Sequence, residues 1–181
     1  MGKKYSEISD DHRQLILKQK VFFVATSAPG CRINLSSKGM DSFRIIDANH
    51  VLWMNLTGSG NETAAHLPED DRMTIMFCSF DENPKILRLY GHAKIIHPRD
   101  ERWTSLVGYF PPMPGQRQIV DMQVDLVHTS CGFGVPLYDF QDEREMLTNW
   151  SNKKGDTGIR KYWEDRNQLS LDDKPTHILD E

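Results

Sequence analysis

The sequence predicts an α+β protein, mainly β, in which an antiparallel sheet of about six strands closes into a barrel decorated with peripheral helices. Short β-branched and aromatic runs recur at close spacing, turn residues of the hairpin type separate them, and the intervening helical stretches are brief. With 181 residues, 38% hydrophobic and 27% charged, the chain is long enough to bury one sizeable core and too apolar to be disordered.

Ser9 ahead of Asp10 and Asp11 supplies an N-cap and an acidic first turn, so a short amphipathic helix is expected within residues 8–19. Residues 21–26 form a strand, the Ala28, Pro29 and Gly30 break turns the chain, and a second strand resumes at Ile33 and Leu35. Residues 43–46 and 51–56 repeat the hairpin around Asp47, Ala48 and Asn49. A two-turn helix over 61–67 is stopped by Pro68, and strands 73–80 and 86–97 flank a turn at Asp81, Glu82, Asn83 and Pro84. A short helix over 100–109, a proline-rich loop and a long strand over 118–128 complete the sheet. Residues 1–140 are expected to carry the barrel and its N-terminal helix. Residues 141–181 read as a helical extension packed on the same domain, two helices parted at Lys153, Lys154 and Gly155, with the last dozen residues a loose tail.

Composition narrows the function. Twenty-two Lys and Arg against 26 Asp and Glu leave a net charge of −4, which gives no general pull toward nucleic acid or anionic lipid, so any anion site is local. The apolar run that begins at Val21 is far too short to span a bilayer, and residues 1–20 lack the apolar centre of a leader. Three widely spaced cysteines fit neither a disulfide framework nor a zinc knuckle. These features together predict a cytoplasmic protein that engages no membrane and no nucleic acid. No histidine pair has the i, i+4 spacing of a helical metal site, so no metal is expected, and no Gly-x-Ser-x-Gly elbow signals a hydrolase.

Two stretches stand out. Thr57, Gly58, Ser59, Gly60, Asn61, Glu62 and Thr63 place small residues, hydroxyls and free backbone N–H groups where a strand enters a helix, which is either a plain capped loop or an anion site. In the other, alternation sends Asn34, Ser36 and Lys38 to one face and Ile33 and Leu35 to the opposite one, making either an ordinary half-exposed strand or one wall of a cationic site. Arg88, between Leu87 and Leu89 in a strand expected to be central, needs a carboxylate or a bound anion. Cys131, in a flexible stretch running to Pro136, reads as part of a packing loop, since no base for a nucleophile is evident.

The ordered stretches 33–39, 56–67, 86–93 and 128–136 resemble the pyridoxamine 5'-phosphate oxidase-like flavoproteins, the FMN-binding split barrels, in a branch of undefined substrate. The resemblance implies a six-stranded barrel, a homodimer with FMN at the subunit interface, and oxidoreductase chemistry on a small molecule, NAD(P)H being a candidate donor. A non-catalytic flavin or haem binding and sensing role is the alternative. By position Ser59 matches the family's phosphate-binding serine, but Gly60 and Asn61 stand where the family has Arg and Lys. The phosphate then falls to backbone N–H groups, Thr57, Ser59 and Thr63, shared with Lys38 or Arg88. The resemblance further implies that Trp53 and Met54 border the flavin, and that Arg117 and the 131–136 loop come across from the partner subunit. The family oxidase's C-terminal basic segment has no match in 159–181, so oxidation of pyridoxamine phosphate itself is not implied.

Overall fold

The computed structural model describes residues 2–180. Its strands are β1 (Lys3–Tyr5), β2 (Phe22–Thr26), β3 (Asn34–Lys38), β4 (Phe43–Ile45), β5 (His50–Leu56), β6 (Arg72–Cys78), β7 (Lys85–Ile96) and β8 (Gln116–Cys131). The helices are α1 (Asp10–Lys18), α2 (Glu62–His66), α3 (Trp103–Val107) and α4 (Met146–Arg166). All strand pairs are antiparallel, in the order β3-β2-β6-β7-β8-β5-β4, with β1 paired to β8. The expected antiparallel split barrel is therefore present, with eight strands where about six were expected: each strand placed from the sequence is found, the brief β4 at 43–46 among them, and the three-residue β1 is added. Among the described residues no helix is long and apolar enough to cross a membrane.

Alternation sets the core. Phe22 and Val24 of β2, Val51 and Trp53 of β5, Ile75 and Phe77 of β6, Leu87 and Leu89 of β7, and Val120 and Met122 of β8 point into the curl, where Ile8, Ile16 of α1 and Leu67 join them. The opposite face of β5 and β8, with Leu52, Met54 and Ile119, is covered by Leu106 and Phe110 from α3 and the loop after it. The Ser9 cap expected of α1 forms, and His12 completes it as a capping box: the Ser9 hydroxyl accepts from the His12 N–H while the Ser9 N–H donates to His12 Nδ1.

Two bulges curl the long strands. At the first, Tyr90 pairs with Leu126 but Gly91 with Val124, leaving Asp125 as the extra residue. Here Gly91 lies so close to its neighbour that a Cβ would sit 1.9 Å from the Gln123 carbonyl oxygen. At the second, Asn55 pairs with Gln118 and Leu56 with Gln116, so Arg117 is the extra residue.

The C-terminal segment meets one expectation, the break at Gly155, and departs from another, the loose tail. The two expected helices run together as α4 with a kink at Gly155, whose φ of 61° and ψ of 176° interrupt the helical conformation. The segment after it is not a loose tail. Thr176 and Ile178 are buried, the Thr176 hydroxyl donates to the Asn167 carbonyl at 2.5 Å, and the Arg99 guanidinium donates to the His177 carbonyl at 2.7 Å. Short polar residues hid this anchoring, which depends on partners distant in sequence.

Candidate functional site

The sheet has two edges, β3 and β4, and where β3 approaches β5 a cavity of about 260 Å³ opens between them. Asn34, Ser36 and Lys38 from β3, Trp53 and Asn55 from β5, the 58–63 turn and Arg117 from β8 line it. The polar face of β3 is thus the inward one, while Ile33 and Leu35 remain 78% and 67% exposed on the outside. The two stretches singled out in the sequence form facing walls of one site.

The walls are internally braced. Asn34 Nδ2 donates to Thr26 Oγ1 at 3.3 Å and to Thr63 Oγ1 at 3.2 Å, and its Oδ1 accepts from the Ser36 hydroxyl at 2.9 Å. Asn55 Nδ2 donates to Gln118 Oε1 at 3.1 Å and to Asn61 Oδ1 at 3.3 Å. These bonds hold β3, β5, β8 and the start of α2 in one polar lattice.

Within that lattice lies an imbalance of charge and of donors. Arg117 is 2% exposed, and its hydrogen bonds all go to neutral oxygens: Asn167 Oδ1 at 3.1 Å, Asn55 Oδ1 at 3.2 Å and the Gly60 carbonyl at 3.1 Å. Burial pulls its pKa down to about 10, against the opposing carboxylate of Glu62 and the Tyr162 hydroxyl. The Lys38 ammonium lies 4.9 Å from the centroid of the Trp53 ring, and burial together with nearby Arg117 lowers its pKa to about 8, Glu62 again opposing. Buried donors also go unanswered: Arg117 Nε, Asn61 Nδ2 and Gln118 Nε2 have no acceptor. Two cations against one carboxylate, with three orphan donors, form a site short of negative charge and of acceptor atoms.

The expected residues fare differently. Asn34, Ser36, Lys38, Trp53, Ser59, Gly60, Asn61, Glu62, Thr63 and Arg117 all reach this cavity. Arg117 does so within its own chain and not from a partner: as the extra residue of the bulge it leaves the strict alternation that would turn it away with Ile119. The 131–136 loop is at the other end of β8, with Phe133 84% exposed. Met54 faces the α3 side, because neighbours on a strand cannot share a face with Trp53. Thr57 adjoins the cavity, but its hydroxyl is committed, donating to the Gly115 carbonyl at 2.8 Å and accepting from Trp163 Nε1 at 2.9 Å. Arg88 does not line the cavity; alternation places it outside the curl, where it is half-buried and donates to the Ser130 hydroxyl at 3.2 Å. Asn55 lines the cavity and was not anticipated, although the period of two counted from Trp53 points at it; Gln118 stands behind it and accepts from its Nδ2. Asn167 and Trp163, which reach back from α4 and its end, carry no local signal.

An antiparallel split barrel with a cationic cavity at its seam defines the class of protein. The family model for pyridoxamine 5'-phosphate oxidase matches residues 8–131, and the chain belongs to that family. The pyridoxamine 5'-phosphate oxidase family protein ustO of Aspergillus flavus is 40% identical over 147 residues, which are 78% of this chain. The chain spans only 59% of that relative's length. Among solved structures, a HupZ variant from Group A Streptococcus superposes with a TM-score of 0.55 at 18% identity, covering 68% of this chain and 99% of its own. A Lactobacillus delbrueckii protein classed with the pyridoxamine 5'-phosphate oxidases gives 0.54 at 14% identity, over 68% and 94%. At such identities the two structures establish the fold.

Proposed function

We propose that the seam cavity holds the ribityl phosphate of FMN, that the flavin ring lies at the interface of a homodimer, and that the protein is an oxidoreductase acting on a small molecule. The observation that carries this reading is the convergence of two cations, Lys38 and Arg117, on one small cavity, two of whose lining residues, Arg117 and Asn61, also hold buried donors without an acceptor. A phosphate dianion offers charge to both cations and acceptor atoms to the donors of the lining. The departure of Gly60 and Asn61 from the family pattern is matched by a relocation of charge: the guanidinium beside the Gly60 carbonyl comes from β8 and the ammonium from β3.

The cavity of about 260 Å³ is sized for the phosphate end, and in this reading a second copy of the chain covers the ring. Bound flavin supplies the electron chemistry, and the chain supplies binding, orientation and electrostatics. Asn34, Ser36 and Thr63 hold their positions through mutual hydrogen bonds, which preorganises the wall.

The test is an absorbance spectrum of the purified protein, a sizing run, and fluorescence titrations with FMN and with riboflavin. A dimer that prefers FMN to riboflavin by tenfold or more, about 1.4 kcal/mol, with the preference lost in Arg117→Met, is the expected result. Anaerobic bleaching of bound flavin by NADH or NADPH would establish turnover and the donor. Equal affinity for FMN and riboflavin would refute the phosphate assignment, and saturable haem binding without flavin binding would establish the non-catalytic alternative.

A further inference from the structure

Three residues far apart in sequence meet on the other side of α2. Cys31 stands in the turn after β2, where Gly30 takes a φ of 76° and the Cys31 N–H donates to the Ala28 carbonyl at 3.0 Å. His66 is the last residue of α2 and is 1% exposed. Asp172 comes from the anchored C-terminal segment, where Ser170 and Asp173 bend the chain into a tight loop. The donor atoms of the three side chains lie within 4.8 Å of one another.

The imidazole is the informative member. Its Nδ1 is 3.2 Å from Thr26 Oγ1, while Nε2 is buried and has no hydrogen-bond partner at all. An Nδ1–H that donates to Thr26 leaves the Nε2 lone pair free, which is the arrangement of a metal-ligating histidine oriented by a second hydrogen bond. An unanswered buried nitrogen on an imidazole that is grouped with a thiol and a carboxylate has a natural occupant in a cation.

We propose that Cys31, His66 and Asp172 form a zinc-binding site that fastens the C-terminal segment to the barrel. The donor set of one sulfur, one nitrogen and one oxygen selects a borderline-soft divalent ion over Mg²⁺ or Ca²⁺, which require oxygen ligands. Three protein ligands leave a fourth tetrahedral position for water. Tetrahedral Zn²⁺ with bonds of about 2.0–2.3 Å holds its ligand atoms roughly 3.3–3.8 Å apart, so the three side chains close by about 1 Å on binding. Cys31 in its turn and Asp172 in its loop are the movable partners, while His66 is fixed by its helix.

The surroundings are consistent with this assignment. The Asp172 carboxylate accepts from the Arg32 N–H at 2.8 Å and also from the Arg32 guanidinium, contacts that orient it and leave other lone pairs free. Lys174 is engaged by Glu69 at 2.7 Å, which offsets its charge near the thiol. The site also communicates with the seam cavity, because the Thr26 hydroxyl beside His66 accepts from Asn34 Nδ2 in the cavity wall.

The experiment uses the full chain, reduced and freed of metal with a chelator, titrated with Zn²⁺ alone and with Co²⁺ alone. One equivalent of Zn²⁺ should bind and raise the melting temperature, and one equivalent of Co²⁺ should produce thiolate-to-cobalt charge-transfer absorption in the near ultraviolet. Cys31→Ser, an isosteric change in a turn, should remove that absorption and weaken Zn²⁺ binding at least tenfold. Asp172→Asn, which keeps an oxygen for Arg32, should weaken it while leaving the thiolate band. Absence of the band in the wild type, or its persistence in a Cys31→Ser protein that is folded by circular dichroism, overturns the assignment. None of these readouts involves flavin, so failure here leaves the reading of the seam cavity untouched.

Discussion

Lys38→Met tests the seam cavity through its pH dependence. Burial lowers the Lys38 pKa from 10.5 to about 8, a gap that corresponds to about 3 kcal/mol of penalty for the charged form in the ligand-free protein. Above 10.5 neither the folded nor the unfolded chain carries this charge and below 8 both do, so the penalty is complete below pH 8 and fades as pH rises from 8 toward 10.5. Removing the ammonium also forfeits its placement over Trp53, worth about 1 kcal/mol. The ligand-free variant should therefore be more stable than the wild type by about 2 kcal/mol at pH 7. With a phosphate dianion bound the ammonium regains a partner, and its pKa returns toward the ordinary lysine value. FMN affinity should then be greatest near pH 7, above the second ionisation of the phosphate at about pH 6, be roughly halved at pH 8, and fall about tenfold by pH 9 as the free protein loses the Lys38 proton. Fluorescence titration at pH 7, 8 and 9 measures this directly, and calorimetry in buffers of different ionisation enthalpy should show proton uptake on binding near pH 8. In Lys38→Met the affinity is lower and no longer changes across that range. A wild-type affinity that is constant from pH 7 to 9, or a variant that keeps the slope, would refute the contact between Lys38 and the phosphate.

Gly91→Ala should cost about 3 kcal/mol or more, read as a drop in the denaturant midpoint, because its Cβ would lie 1.9 Å from a backbone oxygen of β8 that cannot move without breaking the bulge. Trp163→Phe removes the donor to Thr57 Oγ1 and should lower stability by about 1–2 kcal/mol in the same assay. His97 is held neutral by burial, its pKa pulled from 6.5 to about 4, with Arg99 acting in the same direction. The unfolded chain therefore takes up a proton first, and the contribution of this histidine, complete above pH 6.5, is lost as pH falls toward 4. Allowing for solvent screening, that loss is on the order of 2 kcal/mol, and His97→Asn should flatten the slope of melting temperature against pH in that window. Deleting residues 168–180 should destabilise the barrel and weaken FMN binding together, since it exposes what Ile178 covers and takes away the Thr176 hydroxyl that braces the Asn167 carbonyl.

The fold was legible where the pattern is local. Strand alternation, the turn at Asp81 to Pro84, the Ser9 cap and the break at Gly155 each act within a few residues, and each is where the sequence placed it. The inward face of β3 was legible for the same reason, as was the 58–63 turn opposite it. Legibility ended where register or distant chain intervened. Arg117 enters the cavity only because the sheet inserts it as an extra residue, and no alternation rule foresees a bulge. Arg88 tempted because it is charged in a central strand, yet the side of the sheet decides, and its side reaches solvent. Met54 was a miscount of parity against Trp53, and Asn55 is the residue the same rule would have chosen. The anchored C-terminal segment rests on partners such as Arg32, Glu69 and Arg99, so nothing in its own composition announces it.

The brace from Asn167 to Arg117 has a consequence for how the protein matures. The sheet is complete once Cys131 has been synthesised, but the side chain that steadies the cavity's guanidinium arrives a whole helix later. A nascent chain that has finished its barrel still presents a half-built seam, with Arg117 lacking one of its three oxygens and Thr57 lacking the Trp163 indole. The pocket around Arg117 is therefore completed only after the sheet, by side chains from α4 and the residue that follows it.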